Sequence, residues 1–269
     1  MSCPMVLKYP GSKGSMRDKI ISLMPEHKRY CEPFGGSAAV LLAKPVATVE
    51  YYNDLNEDVV NLFRIIRAGG KSLRRLCRLV EATPFARAEL SDARDEQQVD
   101  RSDCALAYRF LVRSWFSING SISNEKTGWR ISTKDSKRLG TWNRLPERLL
   151  QAAIRLKSVH IEQVDAVKLM LMFDGVDALF YVDPPYIEST INFREKQVYS
   201  TSFSLNAHED LLCCLDNLKG RVILSGYEHD LYTKRLSGRW HRIDVAHWTQ
   251  RHTVKTECLW LNYQQGAPS

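Results

Sequence analysis

The stretch that most constrains this chain is an apolar run that ends in an aspartate and two prolines. Residues Ala178 to Val182 are apolar, aromatic or β-branched, which is typical of a buried strand. The strand must end at Asp183, because neither Pro184 nor Pro185 can donate a hydrogen bond to a neighbouring strand. Ligands bind at the carboxyl ends of strands in α/β sheets, so this stretch predicts the mouth of a binding site.

The groups at this strand end suit a flat ring that carries an exocyclic amino group. Asp183 and the Pro184 carbonyl would accept hydrogen bonds from the amino group, and Tyr186 would provide a stacking face. An Asp-Pro-Pro turn that only caps a structural strand has the same residues, because Asp and Pro are common in turns. The tetrapeptide alone leaves both interpretations open.

The composition is that of an ordinary globular protein. Of 269 residues, 44% are hydrophobic and 26% are charged, which provides material for a core and argues against disorder. The sequence has neither an apolar run of roughly 18 residues nor a signal peptide pattern, so we expect a cytoplasmic protein that does not enter a membrane. The seven cysteines form no Cys-x-x-Cys pair, which argues against a disulfide framework and a structural zinc site.

Positive charge is concentrated in the middle third of the chain. Residues 61–160 contain 20 Lys and Arg against 10 Asp and Glu, whereas the remaining residues contain 18 against 21. A basic segment between near-neutral ends indicates a polyanionic partner, with nucleic acid as the first candidate. Solvated helix faces would produce the same excess, so the charge alone does not decide the function.

This basic third is predicted to be mainly helical up to residue 116. The pattern then changes between Ser117 and Trp142, where an Asn-Gly pair predicts a tight turn. Asn, Lys, Arg and Trp side chains in this stretch could contact base edges and phosphates and stack on bases, so we predict that it reads DNA sequence. The predicted DNA-binding residues are Arg113, Asn119, Lys126 and Arg130. A surface hairpin without a special role remains the alternative.

Three other segments have patterns found at nucleotide sites. Residues 8–14 form a glycine-rich loop with two lysines, and residues 29–42 read as a strand, a glycine turn and an apolar helix. A further strand ends just before Asp54, where α/β folds hold ribose hydroxyls. Each pattern also occurs in ordinary turns, and Asp54 could instead cap the helix that follows.

Taken together, the motifs KYPGSK, EPFGGSAAV, NDLN and VDPPY, in this order, resemble the Dam-type (D12 class) adenine-specific DNA methyltransferases. The resemblance implies an α/β fold, the Rossmann-like mixed sheet of S-adenosylmethionine-dependent methyltransferases with an antiparallel C-terminal strand. It also implies a catalytic domain of residues 1–56 and 159–269, with a mainly helical DNA-recognition insert of residues 57–158. That insert coincides with the basic third of the chain.

The resemblance also assigns roles to individual residues. The implied catalytic residues are Asp183, Pro184 and Tyr186. The implied cofactor-binding residues are Tyr9, Lys13, Phe34, Gly36, Asp54, Asp165 and Asp183, with Lys13 near the cofactor carboxylate. The chain departs from the family pattern at Tyr9, where some members have Trp, and at Ala38, where many have a second Gly.

The implied reaction is methyl transfer from S-adenosylmethionine to the 6-amino group of an adenine flipped out of double-stranded DNA. We expect a monomer that needs no metal. An RNA adenine or DNA cytosine-N4 methyltransferase would use similar acceptors, and a catalytically silent DNA-binding module is an alternative of another class. Protein glutamine methyltransferases tend to carry Asn at the position of Asp183, and 5-methylcytosine enzymes need a Pro-Cys pair that this chain lacks. The sequence names neither the recognition site nor a restriction partner.

Overall fold

A computed structural model describes residues 3–96, 100–118, 129, 136–191, 203–248 and 254–264. Within these residues the chain forms one mixed sheet of seven strands. The strands are β1 (Arg29–Glu32), β2 (Val49–Asn53), β3 (Val159–Glu162), β4 (Ala178–Val182), β5 (Arg221–Gly226), β6 (His241–Trp248) and β7 (Val254–Leu261).

The strand order is β3-β2-β1-β4-β5-β7-β6. The first five strands in this order are parallel to one another, whereas β7 is antiparallel to both β5 and β6. This arrangement confirms the predicted α/β fold class with an antiparallel C-terminal strand. Because the order reverses between β1 and β4, a crevice is expected where these two strands end.

Helices connect the strands and cover both faces of the sheet. They are α1 (Arg17–Ser22), α2 (Ala39–Ala43), α3 (Glu57–Ala68), α4 (Gly70–Ala82), α5 (Arg87–Asp92), α6 (Asp103–Phe116), α7 (Ser136–Asn143), α8 (Leu145–Leu156), α9 (Ala166–Phe173), α10 (Leu205–Asn217) and α11 (Asp230–Leu236). The helix α7 overlaps the end of the stretch between Ser117 and Trp142, for which the sequence pattern predicted no helix. In the described part of the chain, no helix combines the length and the apolarity that crossing a bilayer requires.

The core has two parts, one on each face of the sheet. Along β4, Leu179 and Tyr181 face one part, and Phe180 and Val182 face the other, as expected for a strand that is buried on both sides. Residues of α3, α4, α6 and α8 belong to the first part, and residues of α9, α10 and α11 belong to the second. The helices between β2 and β3 therefore share a core with the sheet, and the domain limits 57–158 remain a prediction.

Candidate active site

An open cavity lies where the first four strands of the sheet end. Its walls are the segments that follow β1, β2, β3 and β4, together with the N-terminal loop of residues 9–13. The cavity contains about 1190 Å³ of atom-free space, including its open mouth. It therefore lies at the reversal of strand order, where α/β sheets bind ligands.

The turn after β1 needs glycine because the backbone runs against a tyrosine ring. A Cβ atom on Gly35 would lie 2.1 Å from the ring of Tyr52, whose hydroxyl donates to the Gly36 carbonyl at 2.6 Å. Gly36 and Ala38 both have left-handed backbones, with φ of 49° and 53°. That conformation costs an alanine roughly 1–2 kcal/mol, which explains why a glycine would be favoured at the position of Ala38.

Two aspartates that were predicted to face the cofactor line this cavity. Asp54 accepts hydrogen bonds from the backbone amides of Gly36 and Asn56, each at 2.8 Å, and burial raises its pKa. Asp165 caps α9 by accepting from the Lys168 amide at 2.8 Å. Both aspartates therefore have a structural role as well as a place in the cavity wall, and their contact with a cofactor remains a prediction.

A buried asparagine fixes three of the loops that surround the cavity. Asn53 donates from Nδ2 to the carbonyl oxygens of Pro33 and Val164 at 2.9 Å and accepts from the Val164 amide at 2.9 Å. Its side chain thus joins the segments that follow β1, β2 and β3. Sequence analysis gave this residue no role, although it is the last residue of β2, at the edge of the sheet where ligands bind.

Aromatic side chains form the apolar part of the wall. Tyr9, Phe34 and Phe203 line the cavity, and the rings of Phe34 and Phe203 meet edge to face with centroids 5.6 Å apart. Tyr9 lies close to the glycine turn, 3.4 Å from the place where a Cβ on Gly36 would be. These surfaces suit a planar ligand group, and the structure brings the predicted residues Tyr9, Phe34 and Gly36 together.

The carboxylate of Asp183 is held at the end of β4 by a lysine and a serine. Lys13 Nζ donates to Asp183 Oδ1 at 2.7 Å and to Oδ2 at 2.8 Å, while Ser225 Oγ donates to Oδ1 at 2.7 Å. Lys13 is buried, with an exposed fraction of 5%. Its ammonium is directed at Asp183, and the predicted contact of Lys13 with a cofactor carboxylate remains a prediction.

Tyr186 joins this group through its hydroxyl. The hydroxyl accepts a hydrogen bond from Lys13 Nζ at 3.0 Å and donates to Glu257 Oε2 at 3.0 Å. The ring of Tyr186 stacks on Tyr227, with centroids 4.3 Å apart and planes inclined by 20°. Tyr227 thus covers one face of Tyr186, so a base that stacks on Tyr186 would use the other face.

Burial and charge together set the protonation of this group. Burial acts to lower the pKa of Lys13, but the carboxylates of Asp183 and Glu257 raise it well above its usual value. Burial raises the pKa of Glu257, although Lys13 opposes the shift. Burial also raises the pKa of Glu32, another carboxyl in the cavity wall, to about 8. The charge of the cavity therefore changes with pH near neutrality.

Sequence analysis missed two members of this group. Ser225 and Glu257 are buried polar residues in the strands β5 and β7. A buried carboxylate is costly unless it is paired, so the burial of Glu257 requires a specific partner, but its neighbours Lys255 and Thr256 do not indicate that burial in the sequence. The partner itself lies far away in the sequence and was not predictable from the pattern.

Of the four predicted DNA-binding residues, the structure describes only Arg113. The Arg113 side chain is buried, and its guanidinium donates to Asp58 Oδ2 at 2.6 Å and to the Ala93 carbonyl at 3.3 Å. This packing disfavours a phosphate contact for Arg113, because a phosphate could reach it only if the packing opened. The other three, Asn119, Lys126 and Arg130, lie outside the described residues and stay predictions.

The helix α6, which leads into the 117–142 stretch, contacts the N-terminal loop that carries Lys13. Ser114 Oγ accepts from the Lys8 amide at 3.0 Å and donates to the Lys8 carbonyl at 2.6 Å. Next to it, Trp115 Nε1 donates to the Val6 carbonyl at 3.1 Å. The basic middle third is therefore hydrogen-bonded to the segment that forms one wall of the cavity.

The comparison with known families agrees with this geometry. The family model described as D12 class N6 adenine-specific DNA methyltransferase matches residues 9–252. The match includes the glycine turn, the Asp183 segment and the helices between β2 and β3. In the described part of the chain, no cluster of three or more His, Cys, Asp or Glu side chains is arranged to hold a metal ion.

Proposed function

The chain belongs to the D12 class N6 adenine-specific DNA methyltransferase family, and we propose that it transfers a methyl group from S-adenosylmethionine to the 6-amino group of a flipped adenine in double-stranded DNA. The observation that carries this proposal is the fixed Asp183 carboxylate at the mouth of the cavity. Lys13 and Ser225 hold both of its oxygens in place without blocking all of their lone pairs.

The cavity provides groups that match the parts of the cofactor. Phe34 and Tyr9 offer apolar faces for a planar base, and Asp54 and Asp165 offer carboxylate oxygens for hydroxyl and amino groups. The glycine turn lets a ligand approach the backbone closely at this wall. When bound, S-adenosylmethionine supplies a methyl group that its sulfonium centre already activates.

Asp183 and Pro184 would prepare the adenine amino group for attack. The amino group of adenine is a poor nucleophile because its lone pair is conjugated with the ring. Hydrogen bonds to the Asp183 carboxylate and the Pro184 carbonyl would localise that lone pair on N6 and aim it at the methyl carbon. Tyr186 would stack on the flipped base, returning roughly 1–3 kcal/mol toward the cost of extrusion.

The transfer step balances with these groups alone. The N6 lone pair would form the new N–C bond, and the electrons of the S–C bond would remain on the donor as a neutral thioether. N6 would then carry one proton too many, and this proton would leave along the hydrogen bond to the Asp183 carboxylate. The role of Asp183 is therefore to orient the amino group and to accept the proton.

We further propose that residues 57–158 form the DNA-recognition insert, with Asn119, Lys126 and Arg130 among the DNA contacts. The charge excess of this third supports the proposal. Arg113 is left out of this set because its side chain is buried against Asp58. The protein would act as a monomer in the cytoplasm.

The test is methyl transfer from labelled S-adenosylmethionine to unmethylated genomic DNA, with the modified nucleosides identified and their sequence context read. We expect N6-methyladenine within one short recognition sequence. The variant Asp183→Ala serves as the negative control. Label in 4-methylcytosine, or in RNA in place of DNA, would keep the chemistry of the site and replace the substrate. Absence of cofactor binding would indicate a silent DNA-binding module.

A further inference from the structure

Glu257 is the second carboxylate beside Lys13, and the proposed reaction gives it no role. Its strand β7 pairs antiparallel with β5 so that Cys258 lies opposite Gly226, the last residue of β5. Glu257 therefore lies at the edge of the sheet where β5 ends, which is also the edge that carries Asp183. Its side chain is 1% exposed, and its carboxylate reaches Tyr186 and Lys13 from the side of the C-terminal strands.

The charges of this group do not balance. The group contains two carboxylates, Asp183 and Glu257, and one ammonium, Lys13, which lies 2.7 Å from Asp183 Oδ1 and 3.4 Å from Glu257 Oε1. With all three groups ionised, the net charge is one negative unit in a largely buried place. Unbalanced buried charge opposes folding, so its presence beside a cavity indicates that a cationic ligand completes the balance.

We propose that Glu257 is a positioning residue of the methyl-transfer centre, which fixes the Tyr186 hydroxyl and shares Lys13 so that Asp183 keeps its negative charge for the cofactor sulfonium and the adenine amino group. This inference rests on the proposed function. Without Glu257, Lys13 would neutralise Asp183 alone, and the Asp183 carboxylate would be a weaker acceptor for the amino group.

This role predicts that a substitution of Glu257 changes the affinities of two ligands unequally, because the ligands differ in charge at one atom. S-adenosylmethionine carries a sulfonium cation, whereas the product S-adenosylhomocysteine carries a neutral thioether at the same place. Removing one negative charge from the centre weakens the attraction for the cation and leaves the neutral ligand nearly unaffected. We expect Glu257→Gln to weaken S-adenosylmethionine binding by roughly tenfold and S-adenosylhomocysteine binding by no more than about twofold.

The first measurement is titration calorimetry of both ligands with the wild-type protein, Glu257→Gln and a control, Glu50→Gln. Glu50 is as buried as Glu257, but it pairs with two cations outside the cavity wall. The control should therefore lower thermal stability and keep the wild-type ratio of the two affinities. An unchanged ratio in Glu257→Gln would overturn the inference.

The second measurement is a double-mutant cycle in kcat for DNA methylation. Glu257→Gln and Tyr186→Phe remove the two ends of one hydrogen bond. We therefore expect the double variant to have the same kcat as the less active of the two single variants. If Glu257 did not act through Tyr186, the fold-losses in kcat of the two single variants would multiply in the double variant. This result would contradict the positioning role.

A third measurement needs only the wild-type protein, so its result does not depend on whether a variant folds. Lys13, Asp183, Tyr181 and Tyr186 are the titratable groups around Glu257, and the pKa values of Lys13 and Tyr181 are raised well above their usual values. Burial raises the pKa of Glu257, so the preference for S-adenosylmethionine over S-adenosylhomocysteine should fall as the pH is lowered and Glu257 takes up a proton. A preference that does not change as the pH is lowered would overturn the inference.

These experiments separate the inference from the proposed function. Wild-type protein that binds neither ligand would contradict the proposed cofactor. Wild-type protein that binds both ligands and methylates DNA, with Glu257→Gln behaving identically, would contradict only the role of Glu257.

Discussion

Two buried clusters of charged side chains lie at opposite ends of the strands, and their net charges have opposite signs. At the carboxyl ends of the strands, Lys13 is shared by Asp183 and Glu257. Toward the start of β2, Glu50 is shared by Lys44 Nζ at 2.7 Å and Arg155 Nη1 at 2.5 Å. The first cluster has one carboxylate in excess, and the second has one cation in excess.

The surroundings explain the difference. The Glu50 cluster has no part in the wall of the described cavity, and Arg155 also donates to the Leu41 carbonyl at 2.7 Å, so this cluster joins α2, β2 and α8. The cluster of Lys13, Asp183 and Glu257, in contrast, opens onto the cavity through Lys13 and Asp183. The excess cation of the Glu50 cluster is satisfied by backbone carbonyl groups, whereas the excess carboxylate beside the cavity is available to a cationic ligand.

The largest effect is expected for Asp183→Ala. Removing the carboxylate leaves the adenine amino group without its charged acceptor, and we expect kcat to fall on the order of 10²- to 10⁴-fold. The measurement is single-turnover methylation of DNA, with the melting temperature as the control for folding. Turnover near the wild-type rate would show that the cluster of Lys13, Asp183 and Glu257 is structural, like the Glu50 cluster.

The next effect tests the structural cluster. Replacing Glu50 by Ala leaves two buried cations without their partner, and we expect a loss of about 3–5 kcal/mol in the free energy of unfolding. Urea denaturation measures this loss, and the kcat of the protein that remains folded should be unchanged. A lower kcat in the folded fraction would mean that the two clusters are coupled.

The same cluster has a defined pH dependence. Burial alone would raise the pKa of Glu50, but hydrogen bonds from Arg155 and Lys44 lower it below its ordinary value of 4.5. A depressed folded-state pKa means that the stabilisation is present above the ordinary pKa and is lost as the pH falls through the folded-state pKa. The stability difference between wild type and Glu50→Gln should therefore shrink below about pH 4.5.

The smallest effect concerns two predicted DNA contacts that lie outside the described residues, Lys126 and Arg130. Replacing Lys126 or Arg130 by Gln should reduce the slope of log affinity for DNA against log salt by roughly one unit each. Fluorescence anisotropy at several salt concentrations measures the slope. Arg113→Gln should reduce stability and leave the slope unchanged, since its guanidinium is paired with Asp58. A slope that does not respond to Lys126 or Arg130 would move the DNA surface elsewhere.

Local patterns in the sequence predicted the strands and many of the helices. The apolar run before Asp183 became β4, and the amphipathic spacing from Asp103 to Phe116 became α6 with the same limits. Such patterns are reliable because a strand or helix must present an apolar face to the core at a fixed period. The stretch after Ser117 lacks a clear period, and there α7 was missed.

The sequence by itself also determined which segments surround the cavity, because each of them follows a strand or carries a glycine turn. Only the tertiary structure decided that Lys13 contacts Asp183, that Glu257 contacts Tyr186 and that Arg113 is buried. These contacts join residues far apart in the chain, and the pairing of β7 with β5 brings Glu257 to the site. Periodicity fixes the face of a residue on its own element, whereas its partner across the fold depends on how all the elements pack.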